Sequence, residues 1–174
     1  MTTQIIKELR EKTGAGIMNC KRALEEAKGD IDGAVEILKR QGLAKAEKKA
    51  HREARQGLIE TYIHTGGRIG ALLELNCETD FVARTNEFRE LAHHLAMQVA
   101  ATTPVFLSRD DFSEKELPDE VDPDEVDPDE VCLLSQPFIR DPERTVQDII
   151  TDTVARVGEN IKVRRFARFE LGKD

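Results

Sequence analysis

Few side chains in this sequence stand at spacings that support bond-making chemistry. There is no GxxxxGKS or GxxxxGKT phosphate loop, no HExxH helix and no GxSxG elbow. The three serines, Ser108, Ser113 and Ser135, lie in no nucleophile setting. Thr13, Gly14, Ala15 and Gly16 could bring backbone N–H groups toward an anion at a helix start. They lack the lysine and the preceding strand which that chemistry requires, so a tight turn between helices is the better reading. His93 and His94 are adjacent and, on a helix, point about 100° apart, which prevents both from chelating one ion from one face. An acidic repeat near residue 122 lacks the DxDxDG spacing and twelfth-position glutamate of a calcium loop. No catalytic residue, metal or cofactor is expected.

The remaining candidates bind macromolecules. Lys45, Lys48, Lys49, Arg52 and Arg55 form a basic run, and Lys162, Arg164, Arg165 and Arg168 a second one, able to meet RNA phosphates. Only Phe166 lies among the second set, so the stacking platform of a single-strand binder is missing and a solvated face is the default. DNA is not an expected partner. Thr79, Asp80, Phe81 and Val82 are the informative oddity, because they put two large apolar residues beside an acid where a turn is expected. In one reading Thr79 caps a short helix and Phe81 and Val82 tuck into a sheet. In the other, the turn is a projecting tip, with Phe81 a wedge and Asp80 its polar partner, inserted into another protein.

The elements that position these residues follow from periodicity and punctuation. Thr3 caps a helix bearing Ile5, Ile6 and Leu9; Gly14 stops it; Ile17, Cys20, Leu24 and Ala27 form a second stripe ending at Gly29. Asp30 caps a third helix with Ile31, Ala34, Val35 and Leu38, which Gly42 is expected to end. Residues 1–42 therefore form a three-helix head, and 43–56, rich in alanine and bases, an exposed helical linker. Residues 57–174 form the core. From Gly57 two β-rich runs flank His64–Gly67, a hairpin pattern. Phe88, Leu91, Ala92, Leu95 and Val99 then mark a helix that covers the sheet; Pro104 ends it, and residues 105–108 add a short strand.

Near the end, Thr145 and Asp148 form a capping box over a helix bearing Val146, Ile149, Ile150, Val154 and Val157, which Gly158 stops. The last strand places Ile161, Val163, Arg165, Ala167, Phe169 and Leu171 on one side. Lys162, Arg164, Phe166, Arg168 and Glu170 fall on the other, giving one basic face. The fold class is α+β: a helical head, a linker, then a small antiparallel sheet covered by helices.

The 174 residues carry 34 acids and 26 bases, a net charge of −8. Residues 110–131 alone hold twelve acids and one base, so the remaining body is +3 and the acidity belongs to one segment. That segment repeats DPDEV at 122–126 and 127–131, with a proline in each unit, and reads as a solvated loop. No apolar run approaches the roughly 20 residues of a membrane span, and the N-terminal segment lacks a secretory pattern. Cys20, Cys77 and Cys132 have no CxxC spacing and are expected as free thiols. A cytoplasmic location and no membrane partner are expected.

Four segments together resemble the bacterial elongation factor Ts family, the guanine nucleotide exchange factors of elongation factor Tu. They are LREKTGAGIMNCKRALEEAKGD at 9–30, YIHTGGRIGALLELNCETDFVAR at 62–84, LLSQPFIRDPERTVQDII at 133–150 and GENIKVRRFARFELG at 158–172. The resemblance covers nearly the whole chain in order. It implies a ubiquitin-associated-like head before an α+β core, and a role in protein biosynthesis: binding elongation factor Tu in its GDP-bound and nucleotide-free states and promoting GDP release, without bond chemistry.

Carried over by motif, Asp80 and Phe81 become the principal contact pair, with Thr79 and Val82 shaping the turn. Arg10, Ile17 and Met18 supply a second contact from the head. The family usually has Met at Ile17 and Asp at Asn19; the first change keeps apolar bulk and the second removes an acid. Thr85 replaces a common Asn, with Asn86 next, so the following helix cap is expected to shift by one residue. The acidic repeat stands where relatives carry a helical excursion. A short form with one core unit can present two by pairing as a homodimer. The rival readings are a general adaptor that leaves GDP release unaccelerated, and a degenerate factor that binds without releasing nucleotide.

Overall fold

The structure, a computed structural model, describes residues 3–113, 117 and 126–173. Three helices come first: α1 (Thr3–Thr13), α2 (Ile17–Glu26) and α3 (Ile31–Lys49). Leu9, Cys20, Ala23, Leu24 and Ala34 are buried between them, with Ile5, Ile6, Ile31, Val35 and Leu38 packed around this cluster. Asp30 caps α3 by accepting the Gly33 N–H at 2.9 Å. Gly14, at φ +65°, closes α1, and its amide bonds to the Arg10 carbonyl at 2.8 Å. The TGAG segment is therefore the expected turn between helices.

The third helix does not end at Gly42. That glycine is buried in the interior of α3, is not among the positive-φ residues, and lies where a Cβ would be 3.3 Å from the Ala155 Cβ. The expected stop is instead a close-packing position, and α3 continues to Lys49, with Ala46 resting on the core of the sheet domain.

The sheet has three antiparallel strands in the order β1 (Gln56–Ile63), β2 (Ile69–Cys77), β5 (Ile161–Glu170). Between β2 and β5 come α4 (Asp80–Ala83), α5 (Asn86–Thr102) and α6 (Pro128–Val131), then the small β3 (Pro137–Phe138) and β4 (Asp141–Thr145) pair, and α7 (Val146–Val157). Every member of the expected α5 stripe is buried: Phe88, Leu91, Ala92, Leu95 and Val99. They pack with Ala71, Leu73, Leu75 and Cys77 from the inner face of β2 and with Val146, Ile150 and Val154 from α7. Truncating one such leucine, Leu95→Ala, is worth about 2–5 kcal/mol. Thr145 and Asp148 form the expected capping box on α7, and Gly158, at φ +83°, ends that helix.

Four local expectations are corrected. Thr85 itself caps α5, accepting the Phe88 N–H at 3.3 Å, so the cap does not shift to Asn86. Residues 105–108 contribute only an isolated parallel bridge, Phe106 to Cys132. The described end of the acidic tract is ordered: Asp127 accepts the Asp129 N–H at 2.9 Å and caps the single turn of α6, whose first residue is Pro128. Proline suits that position because its missing N–H would have had no helical partner. The Arg109 guanidinium also donates to Asp129 at 2.6 Å, while repeat residues 118–125 lie outside the described residues.

β5 also departs from the expected strict alternation. Leu75 pairs with Val163 but Glu74 with Arg165, so Arg164 is an extra residue, a β-bulge, and the alternation reverses there. Ile161 and Val163 face the core, as does Phe166 beyond the bulge, whereas Ala167, Phe169 and Leu171 turn to the outer face. No continuous basic face results. Arg165 bonds Glu74 at 2.8 Å, and Arg168 donates to the Ala100 carbonyl at 3.1 Å and to Glu170 at 2.8 Å.

Candidate functional site

The turn after β2 is built from an apolar anchor and a polar clasp. Thr79 has extended backbone geometry, with φ −128° and ψ 156°, and caps the single turn of α4 by accepting the Val82 N–H at 3.5 Å. Val82 and Ala83 are buried in the main core. Successive helical residues point about 100° apart, so seating Val82 and Ala83 inward turns Phe81 outward. Phe81 is 78% exposed. The turn thus combines both readings of the sequence: a short capped helix with Val82 tucked in, and a projecting Phe81. Asp80 beside it pairs with Arg84 at 2.7 Å, both on the surface.

The clasp comes from 80 residues further along the chain. Glu159 accepts the Thr79 amide at 2.9 Å and the Thr79 hydroxyl at 2.6 Å. The next residue, Asn160, donates its amide to Glu78 at 2.7 Å. Its side chain donates to the carbonyls of Ala50, at 3.3 Å, and Arg52, at 2.7 Å, where the chain leaves α3. Below the turn the Cys77 thiol donates to the Thr79 carbonyl at 3.1 Å. Burial first, then the negative charge of Glu159, push that thiol up to about 11, so at neutral pH it keeps the proton it donates. All three cysteines are buried free thiols.

The head residues lie apart from this tip. Ile17 and Met18 occupy the first turn of α2 at 56% and 63% exposure, and Arg10 is exposed on α1. Thr79 to Val82 therefore share one turn of the core domain, while Arg10, Ile17 and Met18 belong to the helical head. Asn160 connects the two through the exit of α3. Asn19, where the family resemblance leads one to expect an acid, accepts from Arg22 at 3.1 Å.

The histidine pair does not converge. His93 faces Glu60 at 3.6 Å, whereas His94 contacts Arg140 and the Phe138 ring. Burial, followed by the charge of Arg140, lowers the His94 pKa. Among the described residues no group of three or more His, Cys, Asp or Glu side chains is arranged to hold a metal, and no helix is long and apolar enough to cross a membrane.

The family model described as Elongation factor TS matches residues 20–123 and 126–173. The chain belongs to the elongation factor Ts family. Its members include the protein named Elongation factor Ts of Carboxydothermus hydrogenoformans, 50% identical over 195 residues that cover 99% of this chain and 90% of the relative. The Elongation factor Ts of Thermodesulfovibrio yellowstonii is 50% identical over 194 residues, covering 99% and 97%, and that of Moorella thermoacetica 49% over 190, covering 97% and 94%. Membership makes the chain a translation elongation factor of the Ts type. The break in the family match, at 124–125, falls inside the acidic repeat.

Glu159 and Asn160 carry no sequence signal of a role at the tip. They read as polar residues between a helix-stopping glycine and a strand, and only their partners, 80 or more positions away, reveal what they hold.

Proposed function

We propose that this chain binds elongation factor Tu in its GDP-bound and nucleotide-free states and promotes GDP release, so that GTP can rebind. Exchange of this kind is a coupling problem. A factor that binds the nucleotide-free GTPase more tightly than the GDP form weakens GDP binding by the same ratio. The observation that carries the reading is a phenylalanine left 78% exposed on a turn whose other apolar residues, Val82 and Ala83, are buried and whose cap is clasped from a distant loop. Phe81 acts as a wedge entering the G domain near the nucleotide and magnesium site, and Asp80 exchanges its Arg84 partner for a group on the displaced loop. Arg10, Ile17 and Met18 supply the second contact from the head. The site is one of protein–protein binding, exerted in the cytoplasm.

The test is release of fluorescent GDP from elongation factor Tu with substoichiometric factor. The unaltered chain accelerates release; Phe81→Ala and Asp80→Ala lower the acceleration. Unchanged release by both variants would sink the assignment of the tip. No acceleration by the unaltered chain favours the adaptor reading if elongation factor Tu is not bound, and the degenerate factor if it is.

A homodimer is proposed as well. The outer face of the sheet leaves Ile59, Ile63, Leu72, Phe169 and Leu171 between 45% and 70% exposed, and a second copy placing the same face against it would bury all five.

A further inference from the structure

Glu159 touches neither Asp80 nor Phe81 through any hydrogen bond of the described residues, yet it accepts both hydrogens that Thr79 can donate. We propose that Glu159 is a positioning residue for exchange, holding the Asp80–Phe81 tip in its contact geometry before the partner arrives. This rests on the tip being the site of contact with the GTPase.

The geometry assigns the role in three steps. Hydrogen bonds to a carboxylate are roughly twice as strong as neutral ones, so the amide and hydroxyl of Thr79 are both held firmly. With its proton directed at Glu159, the Thr79 hydroxyl turns a lone pair toward the Val82 N–H at 3.5 Å, which fixes the start of α4. The turn carrying Glu159 is itself secured at both ends. Gly158, at φ +83°, returns its amide to the Val154 carbonyl at 2.9 Å. Asn160, 3% exposed, bonds Glu78 on the tip side and the Ala50 and Arg52 carbonyls on the head side. A contact group on so short a helix has little order of its own, because an isolated turn is not stable. The order comes from the clasp, and a tip already in its bound arrangement loses less freedom on binding.

A position-holding role predicts a specific kinetic pattern. Fluorescent GDP release from elongation factor Tu is followed over a range of factor concentrations for the unaltered chain, Phe81→Ala, Glu159→Ala, Glu159→Gln and the Phe81→Ala/Glu159→Ala double variant. Glu159→Ala removes both charge-assisted bonds to Thr79 and lowers the maximal release rate by at least about tenfold, the scale of a single such bond. The half-saturating concentration changes much less, since the head contact remains. Glu159→Gln, isosteric and retaining one acceptor oxygen, falls between Ala and the unaltered chain. In the Phe81→Ala background the Glu159→Ala change adds less than about a twofold further loss, because the residue acts through the tip. Hydrogen exchange at the Thr79 and Val82 amides speeds up in Glu159→Ala and Glu159→Gln while that of α5 is unchanged.

Full release rates in both Glu159 variants, with Phe81→Ala impaired, overturn the positioning role and leave the tip reading intact. Losses that multiply in the double variant overturn it too, since Glu159 would then act elsewhere. Full activity of Phe81→Ala removes the wedge role of Phe81, and full activity of Asp80→Ala as well removes the tip reading itself. Should Glu159→Ala fail to fold, Glu159→Gln carries the same comparison.

Discussion

Phe169 stands directly across from Gly70 in the β2–β5 ladder, on the outer face of the sheet, where it is 70% exposed. On the other side of Gly70 lies Ile63, whose Cδ1 is 2.8 Å from the place a Gly70 Cβ would occupy. The missing side chain lets Ile63 lean into the strip toward Phe169, and Leu72 continues the apolar surface along β2. Ile59, Ile63, Leu72 and Phe169 on the sheet, with Leu171 just beyond β5, are exposed large apolar residues of the kind that marks an interaction site when they gather on one face.

The homodimer proposal makes this surface testable. Two sheets stacked face to face at about 10 Å would interdigitate these side chains. Light scattering at micromolar concentration is expected to report twice the mass of one chain, and Phe169→Asp to return it to one. The variant should fold with stability changed by about 0.5 kcal/mol or less, because Phe169 is 70% exposed in the single chain. A single-chain mass for the unaltered protein would show that this face does not pair with itself.

A second prediction concerns Gly42 and the seating of the head. If Gly42 ended a helix in left-handed geometry, replacing it with alanine would be strained. It lies within α3 at ordinary helical φ, so Gly42→Ala gains about 1 kcal/mol of helix propensity. The 3.3 Å approach to the Ala155 Cβ offsets part of that gain, and a net change within about 1 kcal/mol is expected in urea unfolding. Gly42→Leu sets a larger side chain against the Ala155 Cβ and should cost about 1–3 kcal/mol where α3 is pushed from α7. A large loss for alanine alone would restore the helix-stop reading.

What the sequence discloses divides along the range of the interactions involved. Asp30, Thr145 and Gly158 were legible as helix ends because a cap and its partner lie within four residues. The Phe88 to Val99 stripe was legible because one face of one helix carries it. Gly42 was not, since nothing local distinguishes a glycine that stops a helix from one that admits a neighbouring helix. At the candidate site, the Thr79 cap and the burial of Val82 could be read from the chain, but the outward direction of Phe81 depends on which side of a one-turn helix meets the core. The link from Thr79 to Glu159 crosses 80 residues and has no local trace.

The bulge in β5 illustrates the same limit and yields a third prediction. Strict alternation from Ile161 assigns Phe169 and Leu171 to the core side, whereas the extra Arg164 sends them outside. Deleting Arg164 leaves every other pair of the β2–β5 ladder in its present register, so the variant should keep its fold and lose little thermal stability. Deleting Ala167 instead reverses the faces of Arg168 and Phe169, forcing one out of its bonded position and the other toward the core. That deletion should lower the melting temperature far more. Equal losses from the two would mean that the bulge is needed for the strand itself.

Cys77 offers a readout of the clasp that does not depend on exchange. Its thiol is fully buried, donates to the Thr79 carbonyl at 3.1 Å and is pushed up to about 11 from an ordinary 9.0, by burial first and by Glu159 second. Because the folded state holds this proton more tightly than the unfolded chain, the associated stability is complete below about pH 9 and is lost as pH rises through about 11. Alkylation at increasing pH, resolved by peptide mass spectrometry to separate Cys77 from the buried Cys20 and Cys132, is expected to accelerate at Cys77 only toward pH 11 in the folded protein. Glu159→Gln removes the nearby negative charge and should move that rise to lower pH. It should remain above the value of the unfolded chain, since burial persists. A Cys77 profile unchanged by Glu159→Gln would mean that the carboxylate and the thiol do not sense each other across Thr79.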